Sequence, residues 1–227
     1  MALGRVRGSK ISDSLFAPHF TEISKSDYSL SMRTLFIIPL VLMSLVSFPS
    51  WGADFNKGLT AAQSGDFATA LKEWKPLAEE GNAVAQNNLG LMYHNGWGVP
   101  QDYKEAVYWY RLAAEQEHVD AQYNLGVMYN NGNGVPQDYK EAVYWYRLSA
   151  EQGYANAQSN LANRYYYGEG VNKDIVYAHM WKNISASNGY EPAKEDLKII
   201  EKEMTSSDIS DAQRLARECV KKNYKGC

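Results

Sequence analysis

The sequence contains little cysteine, histidine or net charge. Its 227 residues include two cysteines and four histidines, and the formal net charge is -3. So small a net charge argues against wholesale binding to nucleic acid or to an anionic membrane surface. No two histidines are spaced at i+3 or i+4, so we predict no zinc site, and no motif indicates a cofactor.

Long apolar runs are also missing. The longest, Leu35 to Phe48, has 14 residues, whereas a membrane-spanning helix needs about 20. Arg33 precedes this run and small residues follow it up to Ala53, which is the order of a secretory signal peptide. We therefore predict a signal peptide at residues 32–52 and a periplasmic or secreted mature protein without stable membrane insertion. An uncleaved membrane anchor is the alternative.

Residues 1–31 show neither helical nor strand periodicity and are long for a segment that precedes a signal peptide. Two interpretations remain open: translation starts at Met32, or residues 1–31 are an additional leader. Recovery of peptides derived from Met1 in the native host would contradict the first interpretation.

The two cysteines, Cys219 and Cys227, both lie near the C-terminus. In an oxidising compartment we expect them to form one disulfide, which stabilises the chain end by roughly 2.5 kcal/mol on the chain-entropy model. The alternative is two free thiols in a frayed tail.

A period of 36 residues dominates the rest of the chain. Residues 85–120 and 121–156 are identical at 27 of 36 positions, and fainter copies flank them. This period predicts repeats at 85–120 and 121–156, a diverged repeat at 157–192, a capping half-repeat at 53–84, and C-terminal capping helices with the cysteine pair at 193–227.

Each repeat is predicted to contain two helices. Ala85, Leu89 and Met92 share one face of a first helix, which stops where glycines precede Pro100. The second helix, predicted from Tyr103 to Gln116 with Asp102 as its N-cap, is apolar nearly all round. Because such a helix is buried on more than one side, we expect the repeats to stack as a solenoid.

The pattern from Ala85 to Ala114, with its Leu-Gly, Gly-x-Gly-Val, Asp, Trp and Ala-Ala elements, resembles the Sel-one-like repeat, a longer relative of the tetratricopeptide repeat. The resemblance implies an all-α fold, an α/α superhelical solenoid. It further implies a non-enzymatic scaffold or adaptor that binds a protein or peptide in a concave groove lined by the first helices. Two departures stand out: Glu117 replaces a glycine between repeats, and Ala162 replaces Gly90 and Gly126. We expect the first to alter one turn and the second to widen the packing by about a methyl group.

Candidate partner-binding residues are those at groove positions that differ between copies, where we expect exposed side chains. They are Asn87, Leu91, Tyr123, Val127, Ser159 and Asn163. Tyr123 with Leu91 and Val127 is the predicted apolar anchor, in a groove about 30 Å long that suits some nine extended residues. The alternative is that Leu91 and Val127 only pack between repeats.

Trp97 is a further candidate. The equivalent positions of the other copies are the polar residues Asn133 and Glu169, so we expect this turn to be exposed to solvent. The alternative is incidental packing on the loop. We expect Trp97→Ala to leave thermal stability nearly intact; a fall in the midpoint above roughly 5 °C would identify the indole as core.

Other functions receive less support. A hydrolase of the β-lactamase or penicillin-binding type would carry Ser-x-x-Lys, Ser-Asp-Asn and Lys-Thr-Gly, and none of these strings occurs. No catalytic residue is therefore predicted. A peptidoglycan-binding module that uses some of the 17 tyrosines is another alternative.

Overall fold

A computed structural model describes residues 52–227. The predicted leader at 1–31 lies outside the described residues, as does the predicted signal peptide at 32–52 apart from Gly52. The described chain is all-helical, with a short 3-10 turn at Glu201–Glu203. Its ten α-helices are α1 Phe55–Gln63, α2 Phe67–Glu79, α3 Ala83–Asn95, α4 Tyr103–Ala114, α5 Val119–Asn131, α6 Tyr139–Ala150, α7 Ala155–Tyr167, α8 Ile175–Ser187, α9 Pro192–Ile200 and α10 Ser206–Lys221. None of the helices in this part of the chain combines the length and apolarity required to cross a bilayer.

The helices pack in tandem. From α1 to α9 each helix contacts the next, and α10 turns back to pack against α8. The predicted α/α solenoid is confirmed, with α1, α3, α5, α7 and α9 as first helices of successive units. The buried residues form three clusters along the stack, since each pair of helices completes its core with its neighbours.

Local sequence explains where these helices begin and end. The side chain of Asp102 accepts hydrogen bonds from the backbone N–H groups of Lys104 and Glu105, which confirms the predicted N-cap of α4. Gly96 ends α3 with a left-handed backbone at φ 72°. α4 ends at Ala114, two residues before the predicted Gln116, because the chain there enters a tight left-handed turn.

That turn corrects one expectation. Glu117 adopts φ 63° and keeps the left-handed turn that Gly81 and Gly153 form at φ 98° and 91°. The N–H of His118 donates to the carbonyl of Ala113, as Tyr154 N–H donates to Ser149 in the next unit. The glutamate therefore preserves the turn rather than altering it, at the steric cost of a side chain in the left-handed region.

We expect Glu117→Gly to raise the free energy of unfolding by about 0.5–1 kcal/mol, because relief of left-handed strain exceeds the added freedom of the unfolded chain. Urea unfolding measures this. The reciprocal change Gly153→Ala, at the same turn one repeat later, should lower stability by about 1 kcal/mol. A loss of stability in Glu117→Gly would show that the carboxylate side chain is needed there.

Close helix packing explains the glycines of the first helices. A Cβ at Gly90 or Gly126 would lie 2.6 or 2.7 Å from the buried rings of Tyr110 and Tyr146. One period later Lys182 replaces the tyrosine. At the repeat position that pairs with Ala162, a lysine side chain thus replaces the wider tyrosine ring. The steric requirement for a glycine is therefore absent at position 162. The exchange of Gly for Ala thus coincides with the exchange of Tyr for Lys at the partner position, and the expected widening of the packing stays a prediction.

A buried glutamine in each of α3, α5 and α7 joins the units, and sequence analysis missed it. Gln86, Gln122 and Gln158 are buried, and each donates to a carbonyl near the end of the preceding helix, that of Ala78, Ala114 and Ala150 respectively. Each also accepts from an amide side chain one helix later, that of Gln116, Gln152 and Asn188. The signal available in the sequence was that this glutamine is identical in all three copies. A polar residue repeated in a packed helix indicates a hydrogen bond that recurs in each unit, because buried polar groups must be paired.

The C-terminal disulfide is confirmed. Cys219, on α10 and 2% exposed, is bonded to Cys227 with the Cα atoms 5.6 Å apart. Within the closed loop the hydroxyl of Tyr224 donates to Asn188 at 3.1 Å, and its ring lies against Gly153. The bridge thus holds the tail on the third and fourth units.

Cys227→Ser is expected to lower the free energy of unfolding by about 2.5 kcal/mol, since the unfolded chain regains the freedom of the open loop. Urea unfolding under oxidising conditions measures the loss. Dithiothreitol should lower the stability of the wild type to that of the variant and leave the variant unchanged. An unchanged wild type after complete reduction would contradict a stabilising bridge.

Candidate functional site

The structure divides the predicted groove residues into two groups. Leu91, Val127 and Asn163 are half-buried on α3, α5 and α7. Tyr123 is half-buried as well: its ring lies 5.1 Å from that of Tyr154, and burial raises its pKa. These four side chains retain some surface, and their role in binding stays a prediction.

Asn87 and Ser159, expected at the surface, are instead buried, with 5% and 3% exposed. The amide oxygen of Asn87 accepts a hydrogen bond from Asn124 at 3.1 Å, and the hydroxyl of Ser159 accepts one from Lys182 at 2.7 Å. The expectation of exposure was wrong because this position of each first helix points towards the adjoining helices rather than away from the stack.

The neighbouring position is the one that reaches the surface. Asn88, Asn124 and Asn160 are half-buried and identical in the three copies, so a search for variable positions passed over them. We define the first-helix surface as the side chains at this position and at the position three residues later. They are Asn88, Leu91, Asn124, Val127, Asn160, Asn163, Asp196 and Ile199.

A cleft of about 260 Å³ opens at one end of this surface, between α1 and α3. We call it the N-terminal cleft. Its described lining is uncharged and consists of Ala62, Gln63, Phe67, Trp74, Asn88, Leu91, Met92 and Trp97. Trp97 is 42% exposed and stacks on Phe67, with ring centroids 5.2 Å apart and planes within 9°. Two predicted candidates, Leu91 and Trp97, therefore come together here.

The stacking sharpens the prediction for Trp97→Ala. An aromatic pair contributes about 0.5–1.5 kcal/mol, so we expect the free energy of unfolding to fall by about 1 kcal/mol. Trp74→Ala is the matched control, because this indole is 5% exposed and its truncation should cost about 3–5 kcal/mol. Urea unfolding compares them; equal losses would place Trp97 in the core.

A second cleft, of about 80 Å³, lies between α7 and α9. We call it the C-terminal cleft. Tyr167 and Ile199 form its rim and are among the most exposed apolar side chains described, at 63% and 55%. The full lining is Asn163, Tyr166, Tyr167, Lys182, Asp196, Ile199 and Ile200.

Polar contacts from α7 and α8 hold α9 and the 3-10 turn that follows it beside this cleft. The ammonium of Lys182, whose side chain is 1% exposed, pairs with Asp196 at 2.5 Å. Burial lowers the pKa of Lys182, and the hydrogen bond to Asp196 opposes that shift. Tyr166 donates to Glu203, and Nε2 of His179 lies 3.0 Å from Glu201.

Ser159 and Lys182 are the residue types of a catalytic pair, a serine nucleophile and a lysine base. Their surroundings do not fit such a pair. Ser159 is 3% exposed and does not line the cleft, so a substrate cannot approach its hydroxyl. The amine of Lys182 donates to both Ser159 and Asp196, so it is held in a structural pair with the aspartate rather than placed to take a proton from Ser159. Within residues 52–227, no group of three His, Cys, Asp or Glu side chains is arranged to hold a metal ion.

Comparison with known proteins assigns the repeat. The family model of the Sel1 repeat matches residues 83–118, 119–154 and 155–190. These units start two residues before the segments predicted from the period, and their first residues coincide with the starts of α3, α5 and α7. No curated protein matches the chain significantly.

The solved structures that are similar to this chain include two of the same repeat type. The crystal structure of a Sel1 repeat protein from Oxalobacter formigenes has a TM-score of 0.63 and 26% identity, over 73% of this chain and 75% of that one. The crystal structure of c5321, a protective antigen present in uropathogenic Escherichia coli strains that displays an SLR fold, has a TM-score of 0.56 and 37% identity. That match covers 63% of this chain and 35% of the antigen, so the chain spans about a third of its length.

Proposed function

This chain is a protein of the Sel1 repeat family, and on that premise we propose that it is an exported scaffold whose first-helix surface binds a protein partner. Sel1 repeats generally act as scaffolds for protein–protein interaction. Within this proposal the first helices line a concave groove. The observation that carries the proposal is the N-terminal cleft, where an exposed indole, Trp97, borders an uncharged hollow on that surface.

The chemistry of the cleft supports a protein as ligand. Partly exposed aromatic side chains next to a hollow are typical of interface hot spots, because a partner side chain that fills the hollow removes apolar area from water on both sides. Half-buried asparagines continue from the cleft along α5 and α7, and their amides offer both donors and acceptors.

Export is the second part of the proposal. The apolar run from Leu35 to Phe48 has the length of a signal-peptide core, and small residues follow it up to Ala53. The Cys219–Cys227 disulfide agrees with an oxidising compartment such as the periplasm. N-terminal sequencing of the mature protein should give Ala53 as the first residue; a start upstream of Leu35 would contradict cleavage.

Affinity capture tests the scaffold role. The wild-type protein is compared with a Leu91→Ala, Trp97→Ala variant in capture from a cell-envelope extract, with folding checked by circular dichroism. A matched control carries Tyr108→Ala and Tyr144→Ala, which remove exposed rings from α4 and α6, outside the first-helix surface.

We expect wild type and control to retain the same partner and the cleft variant to lose it. Loss in the control alone would place binding on the second helices. In that case purified peptidoglycan is the next ligand to test, since exposed tyrosines are suited to stacking on sugar rings.

A further inference from the structure

We propose that the first-helix surface binds one extended polypeptide segment through two apolar anchors about nine residues apart, one in the N-terminal cleft and one in the C-terminal cleft. This inference rests on the proposed function and specifies its ligand.

The two clefts occupy the same place in the repeat. Four of their lining positions are separated by 108 residues, which is three periods of 36: Trp74 and Lys182, Asn88 and Asp196, Leu91 and Ile199, and Met92 and Ile200. The opposite walls also correspond. Gly58 faces Trp74 as Gly90 faces Tyr110, which sets the register of α1 against the later first helices. In that register the last two residues of α1, Ala62 and Gln63, correspond to the last two of α7, Tyr166 and Tyr167.

The units between the clefts present amides at the rim position. Asn95 and Asn131 are the exposed last residues of α3 and α5. The equivalent last residues of α1 and α7 are Gln63 and Tyr167, which line the two clefts. Asn124 and Asn160 are half-buried beside them. Part of this hydrogen-bonding capacity is used within the protein: Asn95 donates to Leu91, Asn124 donates to Asn87, and Asn131 accepts from Asn130. Each amide keeps a further N–H and a further lone pair, which match the acceptor and the donor that an extended main chain presents. The middle of the surface therefore suits the backbone of a ligand, and its ends suit apolar side chains.

The clefts differ in size, which gives each a preferred anchor. At about 260 Å³, the N-terminal cleft exceeds the roughly 150 Å³ of an apolar cavity that holds benzene, so it accommodates an aromatic ring. Its uncharged lining disfavours a charged anchor, which would lose hydration without gaining a partner. The C-terminal cleft, at about 80 Å³, also contains Lys182 and Asp196, but these two charges are paired with each other. Its rim is apolar, so a small aliphatic side chain fits between Tyr167 and Ile199.

The spacing of the anchors follows from the stacking. Packed helices lie about 10 Å apart, and three steps separate the α1–α3 gap from the α7–α9 gap, which gives about 30 Å. An extended chain rises about 3.3 Å per residue, so about nine residues bridge the clefts.

Synthetic peptides of equal length test this. A polar Ser/Thr/Asn/Gly host carries Trp and Val about nine residues apart, in both orders, or about four residues apart, or Trp alone, or Val alone. Isothermal titration calorimetry with the whole exported protein measures each Kd. We expect the nine-residue pair, in one order, to bind about tenfold or more tighter than Trp alone, because the second anchor binds intramolecularly.

The four-residue pair cannot span the clefts and should bind like Trp alone. A Tyr167→Ser, Ile199→Ser variant should lose the gain of the nine-residue pair and keep the affinity for Trp alone; both side chains are more than half exposed, so the fold should survive. The Tyr108→Ala control, on α4, should bind all peptides as wild type does.

A gain that persists in the Tyr167→Ser, Ile199→Ser variant overturns the two-anchor inference, as do equal affinities for single and paired peptides. If the Trp peptide still loses affinity in Trp97→Ala, the proposed groove function stands without the second anchor. Absence of binding by every peptide also overturns the inference, and the capture experiment then judges the scaffold role independently.

Discussion

Gly134→Ala is expected to lower the free energy of unfolding by about 3 kcal/mol, whereas Gly132→Ala, two residues earlier, should cost about 1–2 kcal/mol. Both glycines adopt left-handed backbones, at φ 72° and 70°, so an alanine at either position carries the same local strain. Only Gly134 lies against another unit. A Cβ there would overlap the carbonyl of Tyr103 at the start of α4, and backbone cannot rotate away as a side chain can.

The two variants form a matched pair in urea unfolding. At Gly132 the nearest atom to an added Cβ is the Cβ of Gln137 at 3.2 Å, which needs only a small adjustment. The difference between the variants therefore isolates the contact between units. Equal losses would show that the loop moves freely and that stacking does not depend on the approach of Gly134 to Tyr103.

Asp196→Ala is expected to cost about 2–3 kcal/mol, because it leaves the ammonium of Lys182 buried without its partner. Loss of one member of a fully buried pair costs about 3–5 kcal/mol; we expect less here because the Asp196 side chain is 42% exposed and water screens the pair. The double variant Asp196→Ala, Lys182→Met should recover to within about 1 kcal/mol of wild type, since it removes the buried charge. Failure to recover would mean that Asp196 acts through α9 rather than through Lys182.

The same lysine predicts a pH dependence. Burial lowers the pKa of Lys182 below its ordinary 10.5, so between the lowered pKa and 10.5 the unfolded chain binds more protons than the native protein. The stability of wild type relative to Lys182→Met should therefore rise as the pH is raised towards 10.5, the ordinary pKa of lysine. The raised pKa values of Tyr110 and Tyr146 act in the opposite direction above their ordinary value of 10.0, but are common to both proteins and cancel. A difference in stability that is independent of pH would contradict the shift.

Much of the fold could be predicted from the repeat, because the residues that recur at the same positions of each copy are those that form its helices, caps and turns. Ala85, Leu89 and Met92 recur at helical spacing, Asp102 caps a helix and Pro100 ends a loop, and each of these patterns depends only on residues close in sequence. The disulfide was predictable for a similar reason, since Cys219 and Cys227 are the only cysteines and lie eight residues apart.

The candidate site was harder to predict, because a helical period does not say which sides of a doubly packed helix remain open. Asn87 and Ser159 were misplaced by one helical position, and the unchanging Asn88 was overlooked. Repeat comparison treated variation as a sign of exposure. At Lys182 the variation instead accompanies a buried ion pair with Asp196 of α9, and asparagine takes the place of this aspartate in α3, α5 and α7.

Site-specific photo-crosslinking in the native host tests most directly whether the first-helix surface binds a partner. A benzoylphenylalanine is placed at Asn131, which is exposed at the end of α5 one turn after Val127 of that surface, or at Tyr144, exposed on α6. The account predicts a discrete crosslinked partner from position 131 that competes with the two-anchor peptide, and none from position 144. A partner crosslinked at position 144 but not at 131 would contradict the assignment of binding to the first helices.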